Sequence, residues 1–71
     1  MSYLGHKNWN HWNVALWMFN DEGLYHLALA CLRNQTIDEA TQMFLGAVDR
    51  KTPDGAPYSK ASVIAALRGL R

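Results

Sequence analysis

The sequence predicts an all-α fold, a compact bundle of about four short helices over roughly residues 9–19, 22–33, 37–49 and 60–70. Two observations predict it. Apolar residues recur at helical spacing in four separate segments, and nowhere does polarity alternate with period two for long enough to make a strand. Each segment also follows a residue that favours a helix N-terminus, namely Asn8, Asp21, Thr36 and Ser59. A chain of 71 residues accommodates one domain, residues 1–71.

The first segment carries three tryptophans and four asparagines between Asn8 and Asn20. At about 100° per residue, Trp9, Trp12, Ala15, Leu16 and Phe19 share one face, which is the expected core side. Val14 and Met18 lie nearly opposite, with Trp17 beside them, and Asn13 and Asn20 form a polar ridge between Trp9 and Trp17. A helix apolar on two sides needs two partners. The expectation is therefore that Trp17, Met18 and Val14 form an exposed apolar anchor for a binding partner.

Asn20-Asp21-Glu22-Gly23 reads as a turn, with Asp21 capping the second segment and Glu22 favourable at the positive end of its dipole. That helix should bury Leu24, Leu27, Ala28, Cys31 and Leu32, leaving Tyr25 and Leu29 at the edge and His26 and Arg33 outside. Thr36-Ile37-Asp38-Glu39 is a capping box, and the stripe it opens is Ile37, Ala40, Phe44, Ala47 and Val48. Thr52-Pro53-Asp54-Gly55-Ala56-Pro57 interrupts the helical pattern with turn chemistry. Ser59 then caps a last helix presenting Val63, Ile64, Ala66, Leu67 and Leu70.

Composition narrows the function classes. A chain this short buries only about 60% of its unfolded surface, so aromatic packing or a partner chain is the usual supplement. With 49% hydrophobic residues, some apolar surface is left for a homodimer face or a target. The net charge of +1 excludes a strongly acidic nucleic-acid mimic and makes nucleic acid an unfavoured partner. Charge is nonetheless uneven. Residues 1–49 hold Lys7 and Arg33 against Asp21, Glu22, Asp38, Glu39 and Asp49 (+2 − 5 = −3), and residues 50–71 hold Arg50, Lys51, Lys60, Arg68 and Arg71 against Asp54 (+5 − 1 = +4). Arg50, Lys51, Arg68 and Arg71 are the expected electrostatic rim around the apolar anchor. One cysteine, Cys31, forms no internal disulfide and fits a reducing cytosol. No secretory leader pattern is legible and the longest apolar run, residues 14–19, is far short of a membrane span.

No residue set predicts catalysis, a cofactor or a metal. His6 and His11 are five apart, on different sides of a helix. Cys31 and His26 are likewise five apart, with Cys31 aimed at the core. Residues 55–62 glance at a phosphate loop, but the second glycine is missing, Pro57 removes an amide and no strand precedes. Asp21-Glu22 and Asp38-Glu39 sit in first helical turns, where the helix dipole explains them. A non-enzymatic binding protein is expected, with a small nucleic-acid-binding protein using the basic C-terminal segment, or a purely structural homo-oligomer, as alternatives.

Asn8-Trp9-Asn10-His11-Trp12-Asn13-Val14-Ala15-Leu16-Trp17, followed by residues 20–25, resembles a Trp-Asn-Val-x-Leu-Trp motif of small phage and plasmid proteins. The resemblance covers residues 8–25 and brings no catalytic residue. It implies an accessory protein acting in a bacterial cytoplasm. Proteins of that kind often bind and block a host protein, among them restriction and CRISPR effectors.

Overall fold

A computed structural model describes residues 8–70 of the chain. Four helices are formed: α1 (Trp9–Asn20), α2 (Glu22–Leu32), α3 (Ile37–Ala47) and α4 (Lys60–Leu70). No strand occurs among the described residues, and the all-α expectation holds.

The caps act where their local chemistry places them. Asn8 accepts the His11 amide at 3.0 Å at the start of α1. Asp21 serves two helices. Its backbone N–H donates to the Trp17 carbonyl at 2.9 Å and ends α1, while its carboxylate accepts the Leu24 amide at 2.9 Å and starts α2. A one-residue joint between helices is feasible because one side chain satisfies amides that would otherwise be orphaned. Asn34 turns the chain after α2 at φ 56°, in the left-handed region that asparagine tolerates better than most side chains.

The capping box on α3 is complete. The Thr36 amide donates to Glu39 Oε1 at 2.9 Å, and the Glu39 amide donates to Thr36 Oγ1 at 3.2 Å. Hydrogen bonding from the Thr36 amide, and then from the Thr36 side chain, holds the Glu39 carboxyl below its ordinary value. Ser59 caps α4 by accepting the Ser62 amide at 3.1 Å, and the buried Ser62 hydroxyl accepts the Ser59 amide at 3.1 Å in return. The expected helix over 37–49 stops earlier, at Ala47. Val48 is extended (φ −112°, ψ 165°), as suits a β-branched residue followed by aspartate.

The helices close a ring in which α1 packs on α2 and α4, and α3 packs on α2 and α4. The ring encloses Val14, Ala15, Met18, Ala28, Cys31, Ala40, Phe44, Val63, Ala66 and Leu67. Alanines from every helix let the backbones approach closely, and Phe44, the largest fully buried side chain among the described residues, meets Tyr58 edge-on with ring centroids 5.9 Å apart. Burial raises the Cys31 thiol above its ordinary value, which leaves it a packing residue rather than a nucleophile. Leu24, Leu27, Leu32, Ile37, Val48 and Leu70 pack around the cluster as the sequence predicts. Ala47, expected in the α3 stripe, is exposed instead, being the residue at which the helix ends.

Helix α1 reverses the expectation. Val14 and Met18, expected on the exposed anchor, are fully buried at 0% exposure, whereas Trp9 (39%), Leu16 (37%) and Phe19 (39%) face outward. The cause is volume. A ring lined by Ala28, Ala40 and Ala66 seats a valine and a methionine, but has no room for two indoles and a phenyl. Phe19 still rests on α4, where a Cβ built on Gly69 would lie 3.1 Å from its Cζ.

A latched connection and the cleft beside it as the candidate site

The segment between α3 and α4 is the least regular part of the fold, and α1 organises it. The Tyr58 amide donates to the Arg50 carbonyl at 3.0 Å and the Thr52 amide to the Ala56 carbonyl at 2.8 Å, with Lys51 and Pro57 bridged antiparallel. The Gly55 amide closes a tight turn on the Thr52 carbonyl at 2.8 Å, and Gly55 itself sits at φ 92°. This is the hairpin geometry in which a tight turn is followed by a left-handed residue, a place glycine fills without strain. A Cβ there would meet nothing within 4 Å, so Gly55→Ala tests backbone conformation alone. The expected loss is about 1–2 kcal/mol, read from urea unfolding; an unchanged midpoint would refute the role assigned to the turn.

The asparagines of α1 hold this small hairpin. Asn10 Nδ2 donates to the Pro57 carbonyl at 3.0 Å. Asn13, 1% exposed, donates from Nδ2 to Asp54 Oδ2 at 2.8 Å and accepts at Oδ1 from the Thr52 hydroxyl at 2.6 Å. The Thr52 Oγ1 accepts in turn from the Ala56 amide at 3.0 Å. The half-buried Trp17 donates its indole N–H to the same Asp54 oxygen at 2.9 Å. Residues 10, 13 and 17 are spaced as one helical ridge, so the polar stripe of α1 faces the protein's own loop rather than water.

Bonds from Asn13 and then Trp17 lower the Asp54 carboxyl below its ordinary value. A depressed carboxyl stabilises the fold above its unfolded value and stops doing so as pH falls through the lowered one. The latch should therefore be intact at neutral pH and weaken only in acid, below the ordinary aspartate range. An acid titration followed by tryptophan fluorescence should show this change in the native chain, and Asp54→Asn should remove it. Its survival in Asp54→Asn would assign it to another group, Glu39 being the first to examine.

Beside the latch lies a cleft of about 540 Å³. Leu24, Leu27 and Val48 supply apolar wall, Trp17 and Tyr58 supply aromatic surface, and Asp21, Asp49 and Lys51 bring charge. Burial raises the Tyr58 phenol above its ordinary value, and the negative charges of Asp21 and Asp49 raise it further. It is a neutral hydroxyl at physiological pH, in a cleft that both carboxylates also line.

Of the residues expected to bind a partner, Trp17 and Lys51 line this cleft together, while Val14 and Met18 are withdrawn into the core. Arg50 is exposed on the connection and Arg68 is exposed at the end of α4. Arg71 lies outside the described residues, as does His6. Sequence reasoning missed Asn13, Thr52 and Asp54 as a unit. The available signal was a helix with more hydrogen-bonding side chains than its solvent face needs, paired with Thr52-x-Asp54 in the long connection. Among the described residues no group of three His, Cys, Asp or Glu side chains could hold a metal ion, and no helix is long and apolar enough to cross a membrane.

Fold and site define a small helical-bundle protein with a hairpin connection latched onto its first helix. Comparison with family models places the chain more specifically: it belongs to a family of unknown function, DUF7249, whose model matches residues 1–67. No curated protein and no solved structure matches it.

Proposed function

We propose that this chain is a non-enzymatic binding protein that occludes a functional surface of a host protein, as a phage-type accessory factor. The observation that carries the reading is the outward band of Trp9, Leu16 and Phe19 on α1. Large apolar side chains at positions 9, 16 and 19 fall within about 80° of one another on the helix, the arrangement by which an amphipathic helix enters a partner's groove. Trp9 stands at the N-terminal end of this band, and tryptophan is a residue type enriched among interface anchors.

The flank gives the partner its chemistry. Phe19 rests on Gly69, and the exposed Arg68 is the next residue along, so the band is bordered by a cation. The matching surface is an apolar groove with carboxylates on its rim. The motif resemblance adds the context of a bacterial host and favours a defence-system effector, a restriction or CRISPR nuclease, as the target class.

The test pairs capture from host lysate with reconstitution from purified components. A partner retained by the native chain should be lost by the triple variant Trp9→Ser, Leu16→Ser, Phe19→Ser, whose circular dichroism stays native. Retention by that variant overturns the reading. So does a concentration-dependent dimer that the same substitutions abolish, because the band would then belong to a second copy. Binding to DNA that weakens steeply with salt would instead support a nucleic-acid role for Arg50, Lys51, Arg68 and Arg71.

A further inference from the structure

We infer that the cleft between the α1–α2 joint, the end of α3 and the latched hairpin is a binding site for an organic cation with an aliphatic stem, an alkylammonium or alkylguanidinium. None of Trp9, Leu16 and Phe19 lines it, so it is separate from the α1 band. Its volume, about 540 Å³, lies in the range of small-molecule sites.

The lining selects the ligand class. Trp17 and Tyr58 offer aromatic surface, and a cation over such a ring is attracted by its quadrupole, most strongly over indole. Trp17 is held in place by its bond to Asp54. Asp21 and Asp49 supply negative charge; one carboxylate oxygen of Asp21 accepts the Leu24 amide, and among the described residues no cation pairs with Asp49. Both carboxylates and the Tyr58 ring line the same volume. Leu24 and Leu27 complete an apolar wall suited to methylene groups. An anion would meet two like charges, and a neutral apolar ligand would desolvate the carboxylates with nothing in return. Lys51 is the one lining group that opposes a cation.

Two sources share this chemistry, a free polyamine and a lysine or arginine side chain of a partner protein. The full chain, labelled with 15N, is titrated with spermidine, with an arginine-containing tripeptide amide, and with glutarate as the anionic control, up to about 10 mM, the weak end of specific affinity. The expected result is a saturable shift of the Trp17 indole N–H and of the Leu24 and Leu27 amides with a cationic probe and none with glutarate. A lower dissociation constant for spermidine identifies the free polyamine, and a lower one for the peptide identifies a side chain. Asp49→Asn should raise the constant roughly tenfold, and Lys51→Ala should lower it several-fold, a gain that a purely structural role for either residue does not produce. Shifts that fail to saturate, shifts equal for glutarate, or an Asp49→Asn variant that binds as the native chain does would overturn the assignment. The Trp9, Leu16, Phe19 triple variant should bind the cation unchanged, which separates this result from the fate of the α1 band.

Discussion

Replacing Asn13 by alanine is expected to cost about 2–4 kcal/mol and to lower the Tm by roughly 10–25 °C, a large part of the stability of so small a domain. The side chain is buried and makes both of its long-range bonds to the hairpin, to Asp54 and to Thr52. Removing it leaves the nearly buried Thr52 hydroxyl without its acceptor and opens a void where the amide stood. Asp54 suffers less, because it reaches water. The stranded hydroxyl gives the experiment its internal control. Thr52→Val removes that group at nearly constant shape, at an expected cost of about 1–2 kcal/mol. The double variant should then be more stable than the two single losses predict, by about 1 kcal/mol. Urea unfolding of the four chains by far-UV circular dichroism measures the cycle. A loss below about 0.5 kcal/mol for Asn13→Ala would mean that the latch contributes nothing to the fold.

The same residue marks where the sequence stops being legible. Caps are local, and Asn8, Asp21, Thr36 with Glu39, and Ser59 each satisfy amides at most three residues away, so their type and spacing suffice to place four helix starts. The apolar stripes of α2 and α4 are also legible, since Ala28, Cys31, Val63, Ala66 and Leu67 are buried where their spacing predicts. On α1 they do not. Periodicity assigns asparagine to water and tryptophan to the core, yet Asn13 is buried because Thr52 and Asp54, 39 and 41 residues further on, complete its hydrogen bonds. A helical wheel of α1 alone contains nothing that announces those partners.

The volume of the core decides the rest of α1. Summed hydropathy favours burying the aromatic face, but close packing favours the face whose side chains match the alanine-lined ring. Trp9, Leu16 and Phe19 consequently form the outer band. Of the ridge that was to separate a core face from an anchor face, Asn13 ties down a loop while Asn20 bonds the Leu16 carbonyl of its own helix. Trp17, expected to be an anchor, belongs to neither the core nor the band: its indole N–H secures the hairpin while its ring lines the cleft.

A direct comparison of two truncations on α1 tests that inversion and the proposed function together. Met18→Ala is expected to cost about 2–5 kcal/mol, since its side chain is wholly enclosed and the cavity it leaves cannot collapse against rigid helices. Trp9→Ala removes a much larger side chain, but one that is 39% exposed at the start of a helix, and its expected cost is about 1–2 kcal/mol. The aromatic-core arrangement of α1 predicts the opposite order, so chemical unfolding of the two variants discriminates between them without knowledge of any partner. Binding should reverse the ranking. Loss of an interface tryptophan raises the dissociation constant by about 30-fold or more, the equivalent of a 2 kcal/mol anchor, whereas Met18→Ala, measured below its unfolding temperature, should leave affinity within about threefold. A Met18→Ala variant that stays folded but loses its partner, beside a Trp9→Ala variant that keeps it, would return the interface to the Val14, Met18 and Trp17 side of the helix.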